Sequence, residues 1–142
     1  NYNTNNHRHM CEIKQELDNI AGTDTEFSFN PHILPNFRGM MSTIYCEISK
    51  KYNKNDLIFA LESFCNQNQF VHLLEDNIRL DFNLVQNTNH CYIKLFPHSN
   101  EDKIIIVSVI DNLVKGAAGQ AIQCFNIMYN YNQDMALNRW IT

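Results

Sequence analysis

The sequence predicts an α+β fold, with a mixed or largely antiparallel sheet that carries helices on one face. Helix-like and strand-like hydrophobic periods both occur along the 142 residues, but they do not alternate regularly as in a βαβ protein. Hydrophobic residues make up 44% of the chain, which is enough to form a real core for one domain. The clearest single sign of this class is the stretch 103–130, where a strand period changes into a helix period.

Composition excludes several classes of partner and site. The net charge is −4 and the chain contains no run of Lys or Arg, so we expect neither nucleic acid nor a membrane surface as partner. No apolar run reaches membrane-spanning length. The five cysteines are widely spaced without a Cys-x-x-Cys pair, which favours buried free thiols over a disulfide framework or a zinc ribbon.

The first predicted element is a helix over 11–21, which follows a polar N-terminal segment. Its predicted buried stripe consists of Ile13, Leu17, Ile20 and Ala21. Gly22 suits the position just after the helix, where a left-handed residue commonly ends the last turn. A strand is then predicted over 26–30, with Phe27 and Phe29 on one face, before a loop that its prolines keep out of any central strand.

The middle of the chain predicts a strand, a helix and three further strands. The first strand is expected over 41–49, and Asn55 is expected to cap a helix over 56–66. The three later strands are expected over 70–74, 91–96 and 103–110. The stretch 75–89 shows no clear pattern.

The last element is a helix that follows a turn rich in small residues, KGAAG, at 115–119. Its apolar face is formed by Ala118, Ala121, Ile122, Phe125, Met128 and Tyr129. Glycines at the start of a helix allow an anionic ligand to approach the backbone, but the same pattern is typical of a plain strand-to-helix turn. The spacing by itself leaves both interpretations open.

Two polar clusters are further candidates for chemistry. His7 and His9 flank Arg8, and this combination offers an acid/base group beside a cation that can hold a phosphate or carboxylate. The alternatives are an exposed polar turn or a metal site with Glu12 or His32, although no complete ligand set has the usual spacing. Arg38 follows the proline-containing loop, either as an anion clamp or as a solvated surface arginine.

Three stretches, taken together and in order, resemble the N-acetyl-gamma-glutamyl-phosphate reductase family. They are HRHMCEIKQEL, FNPHILPNFRGMMSTIYCEI and VSVIDNLVKGAAGQAIQCFNIMY. The resemblance implies that 1–142 form the substrate-binding and dimerisation domain of the glyceraldehyde-3-phosphate-dehydrogenase-like class. The family's N-terminal NADP-binding Rossmann domain, with its catalytic cysteine in a Gly-Cys-Tyr turn, has no counterpart in these residues, so we expect them to be inactive alone and to hold no bound cofactor.

The resemblance also implies a reaction and a set of site residues. The family reduces N-acetylglutamyl 5-phosphate to the 5-semialdehyde with NADPH, in arginine biosynthesis, and His7 is implied as its catalytic acid/base. The residues implied in substrate binding are Arg8, His9, Glu12 and Arg38. The residues implied near the nicotinamide are Asn112, Lys115, Gly116 and Gly119. No metal is implied. The implied partners are the family's own Rossmann domain and further copies of the chain, as a dimer or tetramer, in the bacterial cytoplasm or a eukaryotic organelle.

Some positions depart from the family pattern, and two other interpretations stay open. Cys11 stands where the family usually has proline, and Asn5 and Asn6 stand where glycines are common. The open interpretations are a free-standing dimerisation or regulatory module without catalysis and an enzyme similar to aspartate semialdehyde dehydrogenase. In the resemblance, the sheet pairs with another subunit and the last helix meets the Rossmann domain, so we expect exposed apolar surface on both.

Overall fold

The computed structural model describes residues 1–138, and the chain divides into two units, Asn1–Asn36 and Phe37–Thr142. The first unit contains helix α1, Met10–Ala21. The predicted helix is thus confirmed, as is the role of Gly22, whose left-handed φ of 66° lets its N–H donate to the Asp18 carbonyl.

The predicted buried stripe of α1 is wrong, since Ile20 is 85% exposed and α1 has no fully buried residue among those described. A polar network decides which side of the helix is covered. Lys14 Nζ lies 2.6 Å from Asp18 Oδ2, and the backbone N–H of Thr25 donates to Asp18 Oδ1 at 2.8 Å. These bonds hold Thr25 against the Asp18 side of the helix, while Leu17 and Ile20 of the predicted stripe stay exposed and Ile13 is half-buried.

The predicted strand at 26–30 is not formed. This segment is extended and exchanges only irregular backbone bonds with the N-terminus, from Tyr2 N–H to the Pro31 carbonyl at 3.0 Å and from Asn5 N–H to the Phe29 carbonyl at 3.1 Å. Asn3 and Asn5 have left-handed φ angles of 47° and 52°. Two left-handed residues so close together turn the chain away from the extended path that a regular ladder needs.

The second unit is built on a four-stranded mixed sheet, counted over the described residues, in the order β1-β4-β3-β2. The strands are β1 Met40–Glu47, β2 Val71–Leu73, β3 Cys91–Pro97 and β4 Lys103–Ile110. The central strand β4 is antiparallel to β1 and β3, while β2 runs parallel to β3. The predicted mixed sheet is confirmed, and the buried centre lies where the β-branched run of β4 is covered on both faces.

Two α-helices belong to this unit in its described part, together with a short 3-10 helix, Phe82–Leu84. Helix α2, Lys54–Asn66, contacts β2. A turn of π-helix, Val114–Ala118, leads from β4 into helix α3, Gly119–Met128. Helix α3 buries Asn126, whose side-chain amide donates to the carbonyls of Gln133 and Met135 at 3.2 and 2.9 Å. The predicted apolar stripe therefore stays largely open.

The expectation of exposed apolar surface is confirmed in both predicted places. On α3, Phe125 is 52% and Met128 is 77% exposed. On the edge strand β1, Met41 and Tyr45 share one face and Ile44 lies on the other, and all three are exposed. Edge strands with apolar side chains and unpaired backbone groups are surfaces on which chains associate.

All five cysteines are free, as predicted, but the expectation of buried thiols is wrong for Cys11 and Cys124, which are exposed, while Cys46, Cys65 and Cys91 are half-buried. They lie in the first turn of α1 and on the open part of α3. Within residues 1–138, no helix has the length and apolar character needed to cross a membrane.

The cap of α2 gives a test of how this helix begins. Asn53, not the predicted Asn55, is the capping residue: its side chain accepts from the N–H groups of Asn55 and Asp56 at 2.8 and 3.2 Å. We expect Asn53→Ala to lower the free energy of unfolding by about 1 kcal/mol, because two N–H groups lose their acceptor. Urea titration followed by circular dichroism measures the loss.

The matched control is Asn55→Ala, which removes the same side chain two residues later. Its expected effect is below about 0.5 kcal/mol, since the cap remains intact. Equal losses in the two variants would contradict the assignment of Asn53 as the cap.

Candidate active site

The predicted catalytic residue, His7, is half-buried at the end of the N-terminal segment, where the chain turns into α1. Its ring meets three aromatic rings edge-on, those of Tyr2, Phe29 and His9, at centroid distances of 5.5, 5.4 and 4.8 Å. The backbone N–H of His9 donates to His7 Nδ1 at 3.2 Å. The three ring contacts therefore restrict the orientation of the imidazole plane, and the hydrogen bond from His9 occupies its Nδ1.

The other site residues predicted in the first unit follow His7 closely in sequence and are exposed: Arg8, His9 and Glu12. Arg8 and His9 occupy the turn, and the Arg8 carbonyl accepts from the Cys11 thiol at 3.3 Å. Glu12 lies in the first turn of α1, where the helix dipole favours a carboxylate. The first unit thus places an imidazole, a guanidinium and a carboxylate within the six residues 7–12, which suits recognition of an anionic substrate.

The centre of the second unit's site is Asp111, which is fully buried directly after β4. Its carboxylate accepts from the backbone N–H groups of Asn87, Leu113 and Val114 at 2.8, 2.8 and 3.1 Å. Its Oδ2 also lies 3.0 Å from Nε of Arg38. Burial alone would raise the pKa of Asp111, but the three N–H groups and the Arg38 guanidinium outweigh it and lower that pKa below its ordinary value.

Arg38, predicted to hold substrate, is three-quarters covered and engaged inside the protein. Besides Asp111, its guanidinium donates to the side-chain oxygen of Asn87. These contacts show directly that Arg38 joins three segments of the second unit. Its contact with substrate stays a prediction.

The predicted nicotinamide-contacting residues fall into two groups. Asn112 accepts from the Gly39 N–H at 2.7 Å through Oδ1, and Gly116 lies in the exposed part of the π-helical turn. By contrast, Lys115 Nζ turns inward, donating to Gln123 Oε1 at 2.7 Å and lying 5.5 Å from the centre of the Phe70 ring. Burial lowers the pKa of Lys115, partly offset by Cys91 and Cys124.

Gly119 is buried and is required for packing. A Cβ there would overlap the side-chain oxygen of Asn89 and would lie 2.7 Å from Val114 Cγ1 and 2.9 Å from the Val114 carbonyl oxygen. A Cβ on Gly116 would meet its nearest neighbour, Ile110 Cδ1, at an ordinary 3.5 Å. Close approach of a ligand is thus open at Gly116, while at Gly119 the space is taken by the protein itself.

Sequence reasoning missed several residues that build this region. Asn87 and Asn89 lie in the stretch 75–89 that showed no pattern, and Asn87 has a left-handed φ of 60°. The one available signal was the Asn-Thr-Asn run before a strand, because asparagine tolerates left-handed conformations. His72 and His90, which received no role, form a pair with 2.8 Å between His72 Nε2 and His90 Nδ1.

Comparison with known proteins identifies the family. Residues 1–112 match the family model for the semialdehyde dehydrogenase dimerisation domain. Because this match covers more than half of the chain, the chain belongs to that family.

Two curated relatives have more particular names. The chain is 40% identical over 138 residues to the N-acetyl-gamma-glutamyl-phosphate reductase of Vesicomyosocius okutanii, covering 97% of this chain and 39% of the relative. It is 40% identical over 136 residues to a probable chloroplastic N-acetyl-gamma-glutamyl-phosphate reductase of Arabidopsis thaliana, covering 96% of this chain and 34% of the relative. The predicted resemblance is confirmed, and the chain spans about two-fifths of the length of the curated relatives it matches.

Solved structures support the fold. The chain is similar to aspartate semialdehyde dehydrogenase II from Vibrio cholerae, complexed with ASA, with a TM-score of 0.55, 20% identity, and coverage of 68% of this chain and 29% of that chain. At this identity the likeness shows the fold alone, and it confirms the predicted fold class.

The Asp111 network generates a prediction about stability and pH. In Asp111→Asn the new NH₂ group faces backbone N–H donors, so we expect a loss of about 2–3 kcal/mol in the free energy of unfolding near neutral pH. Because the folded-state pKa is lowered, the carboxylate stabilises the fold above its ordinary pKa of about 3.9, and this contribution is lost as pH falls through the folded-state value. The variant should therefore lose less stability than the wild type on acidification.

Urea titrations at several acidic pH values measure both effects. Asp102→Asn is the control, since it neutralises an exposed carboxylate in the turn between β3 and β4. An Asp111→Asn protein with wild-type stability and wild-type acid sensitivity would show that the network is not formed.

The two glycines of the turn give a matched pair. We expect Gly119→Ala to lower the free energy of unfolding by about 1–3 kcal/mol, because Val114 and Asn89 must shift. Gly116→Ala should change it by less than about 0.5 kcal/mol, since the added methyl meets only ordinary contacts. Thermal or urea unfolding of both variants measures the difference, and a neutral Gly119→Ala would refute the packing role.

Proposed function

We propose that this domain is the substrate-binding and dimerisation part of an NADP-dependent reductase that converts N-acetylglutamyl 5-phosphate to N-acetylglutamate 5-semialdehyde. The observation that carries the proposal is the 40% identity over 97% of the chain to a reductase of that name. The fixed imidazole of His7, next to exposed Arg8, supports it, because acyl-phosphate reduction needs a donor at the developing oxyanion and a cation for the anionic groups.

The proposed roles in the first unit follow from the chemistry of each side chain. His7 serves the reacting carbonyl as acid/base or hydrogen-bond donor. Arg8, His9 and Glu12 line the substrate site, with the guanidinium pairing with the phosphate or carboxylate and Glu12 meeting polar groups of the substrate. The nucleophilic cysteine belongs to the part of the family's fold that precedes this domain.

In the second unit, we propose that Arg38 contributes positive charge for binding the anionic substrate while it remains paired with Asp111. A nicotinamide cofactor is expected from the family, and when bound it supplies the hydride. Asn112 and Gly116 fit such a ligand, since Gly116 is exposed with room for close approach and Asn112 has its oxygen fixed by Gly39. Lys115 and Gly119 would act indirectly, by holding the turn in shape.

The proposed assembly is a homo-oligomer. It is supported by the dimerisation-domain match and by the exposed apolar residues of β1, which offer a surface to a second copy. A bacterial cytoplasmic location or a eukaryotic organelle is proposed, and the Arabidopsis relative is named as chloroplastic.

The central test uses the complete protein that contains this domain. Phosphate-dependent reduction of NADP with N-acetylglutamate semialdehyde is measured, and turnover is expected. His7→Asn should lower kcat by roughly a hundredfold to ten-thousandfold, because proton donation at the reacting oxygen is lost, with little change in the KM for NADP. His32→Asn is the control, since His32 is an exposed loop histidine of the same unit.

Each alternative has its own outcome in this assay. Turnover of aspartate semialdehyde in place of the acetylated substrate would favour an aspartate semialdehyde dehydrogenase, and no turnover with either would favour a non-catalytic module. A normal rate for His7→Asn would show that His7 is misassigned. Residues 1–142 alone are expected to show no turnover.

A further inference from the structure

Three aromatic rings contact the ring of His7, although the residues that follow it in the turn, Arg8 and His9, are exposed. Tyr2 and Phe29 approach it at interplanar angles of 70° and 65°, and His9 does so at 69°. Edge-to-face contacts of this kind are favourable and directional. Three of them on one imidazole restrict the rotation of its side chain.

The backbone of His9 adds a constraint on the proton. Its N–H donates to His7 Nδ1 at 3.2 Å, and the direction of a backbone N–H is fixed by the peptide plane. A nitrogen that accepts a hydrogen bond cannot carry a proton, so the neutral ring has its proton on Nε2.

The two aromatic residues are themselves held by hydrogen bonds of their backbone groups. Asn5 exchanges two bonds with Phe29, from Asn5 N–H to the Phe29 carbonyl at 3.1 Å and from Phe29 N–H to Asn5 Oδ1 at 3.2 Å. Tyr2 N–H donates to the Pro31 carbonyl at 3.0 Å. The ring of His7 is thus contacted by Tyr2 and Phe29, which are held in place, and by the His9 N–H.

We propose that Tyr2 and Phe29 are positioning residues for His7 and that the His9 N–H fixes the tautomer in which Nε2 carries the proton. His7 then presents Nε2–H as a hydrogen-bond donor to the oxygen on which negative charge develops. A donor held in advance at such an oxygen lowers the barrier because it needs no reorganisation during the reaction. Only this last step depends on the proposed function.

The first test measures the tautomer in the 142-residue chain without any substrate. Long-range ¹H–¹⁵N spectra of ¹⁵N-histidine-labelled protein are recorded at a pH of about 8, where imidazoles are neutral in water, and His7→Gln identifies the His7 signals. We expect a pyridine-like Nδ1 and a pyrrole-like Nε2. The reverse pattern, or shifts averaged between the two tautomers, would overturn the proposal.

The second test separates positioning from ordinary packing. Tyr2→Leu and Phe29→Leu should move the two His7 nitrogen shifts towards those of histidine in the unfolded chain, because the ring is free to turn. Tyr2→Phe keeps the aromatic contact and should keep the wild-type shifts. Phe27→Leu is the control, since Phe27 is a half-buried phenylalanine of the same segment whose ring is not among those that contact His7 in residues 1–138. Wild-type shifts in both leucine variants would contradict the positioning role.

Signals of His72 and His90 report in the same spectra whether the second unit of each variant remains folded. In the complete protein, Tyr2→Leu and Phe29→Leu should lower kcat by roughly tenfold to a hundredfold at nearly constant KM. If the proposed reaction were wrong, this kinetic effect would be absent while the tautomer result would stand, so the two failures can be told apart.

Discussion

The second unit depends on the buried carboxylate of Asp111. A charge removed from water is costly unless every lone pair is matched, and here three backbone N–H groups and the Arg38 guanidinium supply that match. These partners belong to segments far apart in sequence. The end of β4, the approach to β1 and the loop before β3 are therefore joined at one point, and none can move without exposing or stranding the charge.

Because Asp111 is anchored in this way, the residues of the motif DNLVKGAAG at 111–119 have different roles. Three residues of the motif face the protein. Asp111 anchors the turn, and Lys115 packs its ammonium group against Gln123 and Phe70. Gly119 leaves room for the side chain of Asn89. Gly116 leaves room for a ligand, while Asn112 holds the Gly39 N–H through its Oδ1. Most of this motif thus shapes the turn, and its contact with a cofactor remains a proposal.

Helices and strands were predicted best where a single hydrophobic pattern ran through the whole segment. The bounds of β4 were predicted as 103–110 and found as such, because an uninterrupted β-branched run has few alternatives. The predicted cap of α2 was two residues too late, because asparagine suits capping at both 53 and 55. The structure selects Asn53, whose backbone N–H donates to the Asp56 side chain in a capping box. Asn87 and Asn89 were missed because their roles come from tertiary contacts, which leave no periodic trace.

The failed prediction of a strand at 26–30 bears on the active site most directly. Phe27 and Phe29 are nevertheless half-buried between exposed neighbours, which is the alternation expected of residues that share one face of an extended segment. The irregular bonds to the N-terminal segment, in which Asn3 and Asn5 are left-handed, hold Phe29 where its ring meets that of His7. Among the residues near His7 that depart from the family pattern, Asn5 is the one that holds Phe29. Asparagine there adopts the conformation that glycine permits and adds a side-chain acceptor that glycine lacks. The departure therefore tightens the position of the proposed catalytic ring.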